Sequence, residues 1–150
     1  MASPHLYLIR HAKAEHDHPR GDAARRLTPQ GRKAFRELVT ALRPRLGVDR
    51  IVTSPFARAR ETAEVLAEIT GAPIEEEHAL VSGASSGRAI LALARMAGAG
   101  VALVGHNPEI AEAIAIVSER DEHVRPGTVA ALDLDGALAV AWIEAPARAE

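Results

Sequence analysis

Leu6-Tyr7-Leu8-Ile9-Arg10-His11-Ala12 sets four apolar residues directly before a guanidinium and an imidazole. A continuous apolar run of this kind reads as a strand buried on both faces, as in a parallel sheet covered by helices. Two further stretches repeat the pattern. Ile51-Val52-Thr53-Ser54-Pro55-Phe56-Ala57-Arg58 and Val101-Ala102-Leu103-Val104-Gly105-His106-Asn107-Pro108 each run from an apolar strand into an exit that carries Arg58 or His106. In an open α/β sheet, ligands bind beyond the carboxyl ends of the strands. If these strands are parallel neighbours, Arg10, His11, Arg58 and His106 converge on one point. Two guanidiniums and two imidazoles around one point make a pocket for a phosphoryl group.

The segments between the strands read as helices. Thr28-Pro29 is a helix start, because Thr caps orphan amides and Pro suits the first helical position. Phe35, Leu38, Val39 and Leu42 follow with the spacing of one buried face, and Pro44 and Gly47 end the helix. Ser54-Pro55 repeats the cap-then-proline signal, and Ala59, Ala63, Leu66 and Ile69 form a stripe that stops at Gly71. A short strand falls near Ile74. Ile90, Leu93, Ala94 and Ala97 mark a third helix, and Asn107-Pro108 opens a fourth with Ile110, Ala111, Ile114 and Val117 inward. Residues 128–133 and 138–143 flank Asp135-Gly136, a hairpin-turn signal. Strand and helix alternation followed by a hairpin predicts an α/β/α sandwich of three layers. Its sheet is mainly parallel, with an antiparallel edge hairpin.

Composition narrows the function. The 150 residues suit one domain, expected to span 1–150, with 47% hydrophobic and 25% charged residues. The formal net charge of −2 gives no field that would recruit nucleic acid or an anionic membrane. Of 18 basic residues only Lys13 and Lys33 are lysines, leaving 16 arginines. Arg is the better bidentate partner of phosphate, although a codon bias gives the same lopsidedness. With no cysteine, thiolate catalysis, disulfides and Cys-based zinc sites are excluded. Met1-Ala2-Ser3-Pro4-His5 lacks the basic and apolar segments of a signal peptide, and no apolar stretch is long enough to span a membrane. A cytoplasmic protein is expected.

The chemistry of the exits is that of phosphoryl transfer. A neutral imidazole such as His11 is a competent nucleophile toward phosphorus and forms a phosphoenzyme that water then hydrolyses. Arg10 and Arg58 can each grip two phosphoryl oxygens and match the charge spread over the equatorial oxygens. His106 can donate to the same oxygens, and Asn107 beside it is a further candidate contact. No metal or other cofactor is required.

These motifs resemble those of the histidine phosphatase superfamily, whose fold is that of the phosphoglycerate mutases. The superfamily carries Arg-His-Gly after its first strand, Ser-Pro-x-x-Arg after the second and Gly-His after a later one. This chain has Arg10-His11-Ala12, Ser54-Pro55-Phe56-Ala57-Arg58 followed by Arg60-Glu61-Thr62, and Gly105-His106-Asn107-Pro108. Leu27-Thr28-Pro29-Gln30-Gly31 also fits, and the likeness runs from about residue 6 to 135. The resemblance implies that His11 is the nucleophile and that Arg10, Arg58 and His106 hold phosphate. The compact length is similar to the small bacterial phosphohistidine phosphatases of the SixA type.

Two departures bear on substrate. Ala12 stands where the superfamily usually has Gly, so this turn must avoid the positive φ that Ala resists. Larger members also carry a Glu or Asp that protonates the leaving group, whereas Leu80-Val81-Ser82-Gly83-Ala84-Ser85-Ser86 contains no carboxylate. Glu75, Glu76 and Glu77 lie upstream as a solvated strand end, with Glu77 the reserve candidate. Missing acid favours a leaving group that needs none. An alkoxide leaves with basicity near that of hydroxide, whose conjugate acid has a pKa of about 15.7. A phosphoimidazole protonated on its other nitrogen expels an imidazole of pKa about 6.5. The gap of roughly 9 units, at 1.36 kcal/mol each, bounds the advantage at about 12 kcal/mol.

The leading expectation is therefore a metal-independent phosphatase acting on a phosphohistidine of a phosphorelay protein. The alternatives are a phosphatase for sugar or nucleotide phosphate esters and an inactive phosphate-binding regulatory module. The intact His11 and His106 argue against the last, since a binder needs no nucleophile. His16-Asp17-His18 with Asp22 has the composition of a metal site, but adjacent residues in a loop rarely supply its geometry, and a substrate-recognising loop is preferred. The glycines of Gly98-Ala99-Gly100 precede their strand, which fails the context of a dinucleotide-binding turn. Asp133-Leu134-Asp135-Gly136 is far short of a calcium loop. His5, His78 and His123 are expected at the surface.

Overall fold

The computed structural model describes residues 5–147. Met1–Pro4, on which most of the amino-terminal reading rests, lie outside the described residues. Six strands form one sheet: β1 (His5–Arg10), β2 (Arg50–Thr53), β3 (Ile74–Glu76), β4 (Val101–Gly105), β5 (Val129–Asp133) and β6 (Ala139–Glu144). Their spatial order is β3-β2-β4-β1-β5-β6. The pairs β1–β4, β2–β4 and β2–β3 are parallel, while β1–β5 and β5–β6 are antiparallel. The three strands with chemistry at their exits are thus parallel neighbours, with β4 in the middle.

Four helices cover the two faces: α1 (Pro29–Leu42), α2 (Ala57–Thr70), α3 (Gly87–Ala97) and α4 (Glu109–Ser118). Alternation along β1 assigns the layers. Tyr7 and Ile9 pack with Phe35, Val39 and Leu66 of α1 and α2. Leu6 and Leu8 pack with Ile90, Ile110 and Ile114 of α3 and α4. The result is a helix–sheet–helix sandwich in which β1 and β4 are buried on both sides, as their unbroken apolar runs require. Among the described residues no helix is long and apolar enough to cross a membrane.

At the start of α1, Thr28 caps as expected, its Oγ1 accepting from Gly31 N at 2.9 Å. Gly31 is required for another reason: a Cβ there would lie 2.3 Å from the Lys13 carbonyl oxygen. That carbonyl already accepts from Thr28 N, so the start of α1 is stitched onto the segment leaving β1. Gly31→Ala should therefore destabilise by about 1–3 kcal/mol, despite the better helix propensity of Ala. A denaturant melt checks this, and a gain in stability would show that the segment after β1 yields freely.

Two local expectations are corrected, and the end of α1 is refined. Ser54-Pro55 does not cap α2, which starts at Ala57 after Phe56 with no side-chain cap; the Ser54 hydroxyl is used elsewhere, as described below. Helix α1 ends at Leu42 and passes into a 3-10 turn, Arg43–Arg45, that contains Pro44. His5 is half-buried and engaged: its Nε2 meets Asp133 Oδ1 at 2.8 Å across the β1–β5 pair.

Candidate active site

The three strand exits are joined by their backbones. His11 N donates to Gly105 O at 2.9 Å, and Ser54 N donates to Val104 O at 3.0 Å. These bonds extend the β1–β4 and β2–β4 ladders past the strand ends and draw the exits together. The His11 and His106 rings stand 5.2 Å apart, and Arg58 and Arg10 both act electrostatically on each ring. His11, Arg10, Arg58 and His106 are thus assembled at one point.

His11 is buried, with 7% of its surface exposed. Its Nδ1 lies 2.7 Å from the Ala12 carbonyl oxygen. A carbonyl only accepts, so Nδ1 carries the proton and Nε2 keeps its lone pair. Burial pushes the His11 pKa down to about 3, the Ala12 hydrogen bond acting against this and His106, Arg58 and Arg10 adding to it. At neutral pH the ring is therefore uncharged, and the Nε2 lone pair needs no base to free it. The turn that holds it has no positive φ at Ala12, as an Ala in place of Gly demands. Ala12 N donates to Thr62 Oγ1, and the Thr62 hydroxyl donates to Arg58 O. Thr62 therefore couples the turn after β1 to the first turn of α2.

Both arginines are tied at their far ends. Arg10 Nη1 donates to Val124 O at 2.9 Å. Arg58, 3% exposed, donates from Nη1 to Asp22 O at 2.8 Å and from Nη2 to Asp22 Oδ2 at 3.1 Å. The Nε of each is buried without a partner. Burial lowers the pKa of both guanidiniums, and from so high a starting value they stay charged.

His106 is 2% exposed, and its Nε2 lies 2.9 Å from Ser54 Oγ. Ser54 Oγ also accepts from Phe56 N and keeps its own proton to give; with Nε2 as the acceptor of that proton, the ring N–H is on Nδ1. That Nδ1 is another buried atom without a partner. Burial, with Arg58 next, pushes the His106 pKa down to about 4. The Phe56 ring meets His106 edge-on at 5.3 Å and the Arg58 guanidinium at 5.3 Å. Arg10 Nε, Arg58 Nε and His106 Nδ1 together are the kind of unmet polar groups that a bound anion satisfies.

Both ends of the Asn107 amide are engaged within the protein. Its Nδ2 donates to Val124 O and its Oδ1 accepts from Ala111 N. It ties down the first turn of α4 and holds the same carbonyl that anchors Arg10. Glu77, the reserve acid, accepts from Ala79 N and caps a 3-10 turn. Glu75 pairs with Arg50 and Glu76 with Arg60. The loop of residues 80–86 does receive a carboxylate, from α4: buried Glu109 accepts from Gly83 N at 2.6 Å. The other Glu109 oxygen, Oε1, is buried without a partner, and among carboxylates Asp22 acts on the charge of His106. Among the described residues, no cluster of His, Asp and Glu is placed to hold a metal ion, so His16, Asp17, His18 and Asp22 are not brought together as ligands.

The depressed histidines have a consequence for folding. Unfolded, each titrates near 6.5; folded, they resist protonation to about 3 and about 4. Between these limits the unfolded chain binds more protons, so stability is complete above pH 6.5 and is lost as pH falls toward 4. Thermal melts from pH 7.5 to 4.5 should show a falling Tm. His11→Ala should flatten the slope, and an unchanged slope would mean that the ring is not held neutral.

A family model described as the histidine phosphatase superfamily (branch 1) matches residues 6–83. No curated protein matches the sequence. Solved structures do. One described as phosphohistidine phosphatase SixA from Agrobacterium tumefaciens is 26% identical, with a TM-score of 0.79 over 95% of this chain and 98% of that one. The protein histidine phosphatase SixA in complex with tungstate is 23% identical, with a TM-score of 0.80 over 95% and 97% of the two chains. A phosphoserine phosphatase from Entamoeba histolytica, bound to 3-phosphoglyceric acid, shares the fold at 16% identity and a TM-score of 0.69, over 94% and 96%. Matched by the family model over more than half its length, this chain belongs to the histidine phosphatase superfamily, whose members are phosphatases with a catalytic histidine.

Proposed function

We propose that the protein is a phosphohistidine phosphatase that works without a metal ion through a phosphorylated His11. The observation that carries this reading is His11 itself: a buried, neutral imidazole whose Nδ1 proton is held by Ala12 O. Its Nε2 attacks phosphorus in line as the bond to the substrate imidazole breaks. That imidazole, protonated on its other nitrogen, departs neutral. Arg10, Arg58 and His106 bind the equatorial oxygens through their unpartnered N–H groups, which stabilises a loose transition state. Water then attacks the phosphohistidine, the P–Nε2 bond breaks, inorganic phosphate leaves and His11 is restored. Asn107 acts by fixing Val124 and, through it, Arg10.

The leaving group is where substrate is decided. The carboxylate that pairs with the pocket's Arg58 is Asp22, whose small burial would raise its pKa but whose Arg58 and Arg25 neighbours lower it. An ionised Asp22 cannot protonate a departing alkoxide. A phosphoramidate needs no such donor, which favours phosphohistidine, and the SixA likenesses agree in kind. The second reading, a small-molecule phosphatase, is favoured by the shared fold of the Entamoeba phosphoserine phosphatase.

One experiment separates them. A phosphohistidine protein and a panel of aryl, sugar and nucleotide phosphates are compared in chelator without added metal. Phosphohistidine should be cleaved well and alkyl phosphates poorly. Among aryl phosphates, log kcat/KM should fall steeply as leaving-group pKa rises, provided that phosphoenzyme formation limits the rate. A flat dependence with efficient sugar phosphate hydrolysis would favour the second reading, and activity restored by a divalent ion would overturn metal independence.

A further inference from the structure

Asp22 sits in the turn Asp22–Ala24, between β1 and α1, and is mostly exposed, with 62% of its side chain open to solvent. Yet it supplies both partners of the most buried cation in the pocket. Its main-chain oxygen takes Arg58 Nη1 and its Oδ2 takes Arg58 Nη2. Its other oxygen, Oδ1, accepts from Arg25 Nε at 2.9 Å. The carboxylate is therefore gripped between two guanidiniums, and Arg25 Nη1 is fixed in turn on the Glu15 carbonyl.

A guanidinium offers two forks: the end-on pair Nη1/Nη2 and the side-on pair Nε/Nη2. Asp22 fills the end-on fork of Arg58. What remains is the side-on fork, whose Nε is buried without a partner. Arg10 shows the same division, with Nη1 on Val124 O and Nε buried without a partner. Two arginines from different strand exits thus have terminal nitrogens anchored within the protein and the same nitrogen, Nε, unmet.

We infer that Asp22 is a positioning residue: by occupying the outer fork of Arg58 it turns the side-on Nε/Nη2 edge toward the phosphoryl group. The inference rests on the phosphatase reading only in that the pocket binds a phosphoryl oxyanion; which ester or amide carries it does not matter. The rival is competition, in which Asp22 blocks the fork that phosphate needs. The two assign opposite signs to the loss of Asp22.

The test compares wild type, Asp22→Ala and Asp22→Asn, with inorganic phosphate binding read by calorimetry and kcat/KM read on an aryl phosphate. Asp22→Ala should weaken both about 10- to 100-fold, as loss of an orienting partner does at metal sites. A parallel melt shows that the variant is folded when it is assayed. Asp22→Asn keeps an acceptor for Nη2 and should recover most of the affinity. In an Arg58→Lys background, Asp22→Ala should cost little more, because there is no fork left to orient. Unchanged or tighter phosphate binding by Asp22→Ala, or a full additive loss on Arg58→Lys, overturns the inference. Phosphate binding needs no turnover, so failure of the phosphohistidine reading would show in the substrate panel and leave this result intact.

Discussion

His11→Ala should abolish turnover, lowering kcat by about 10⁴-fold or more, the scale seen when a nucleophile is removed from a covalent mechanism. Binding of inorganic phosphate should survive. None of the bonds that anchor the other pocket residues passes through the His11 side chain. Arg10 is held by Val124 O, Arg58 by Asp22 and His106 by Ser54. The mutation also removes the His11 part of the acid-side loss of stability, so the Tm of the variant should fall less than that of wild type between pH 7.5 and 4.5. Trapping with a labelled phosphoryl donor gives the decisive readout. Wild type should carry label in an acid-labile, base-stable bond, and His11→Ala should carry none. Label retained by His11→Ala would remove it from the role of nucleophile, and His106 would be the next imidazole to test.

The sequence showed the strands and the chemistry at their exits because both signals are local. Leu6 to Ile9 and Val101 to Val104 are apolar on both faces, and that run is itself the mark of a central parallel strand. Arg10, His11 and His106 follow directly, so placing the strands placed the residues. What stayed hidden depends on partners far away in the chain. Ser54 reads as a helix cap from its neighbours, but its hydroxyl faces His106, 52 positions later. Asp22 reads as part of a polar cluster with His16 and His18, although its partner is Arg58, 36 positions later. Asn107 lies beside His106 and looks like a ligand group, but both ends of its amide are held inside the protein. The loop of residues 80–86 looks free of acid because Glu109 reaches it from α4. Side-chain hydrogen bonds across the sheet leave no periodicity, so no reading of one segment reveals them.

The second large effect concerns the shape of charge as opposed to its amount. Arg58→Lys keeps a cation at the exit of β2 but should lower kcat/KM by about 10²- to 10³-fold, or about 2.7–4 kcal/mol, the effect of losing one preorganised donor to developing negative charge. Arg58 is 3% exposed, lies 5.3 Å from the Phe56 ring and divides its donors between Asp22 and an unmet Nε. An ammonium is a point charge with no planar fork, so it cannot serve Asp22 and a phosphoryl oxygen at once in this geometry. It also binds its own water more tightly than a guanidinium does, which disfavours so buried a position. Steady-state kinetics with a parallel thermal melt checks the prediction, the melt showing that the variant is folded when it is assayed. If charge alone mattered, Arg10 and the new lysine would still present two cations and the rate would barely change. Near-normal kcat/KM would thus mean that Arg58 lies outside the phosphoryl site and that its pairing with Asp22 serves only to hold the turn after β1.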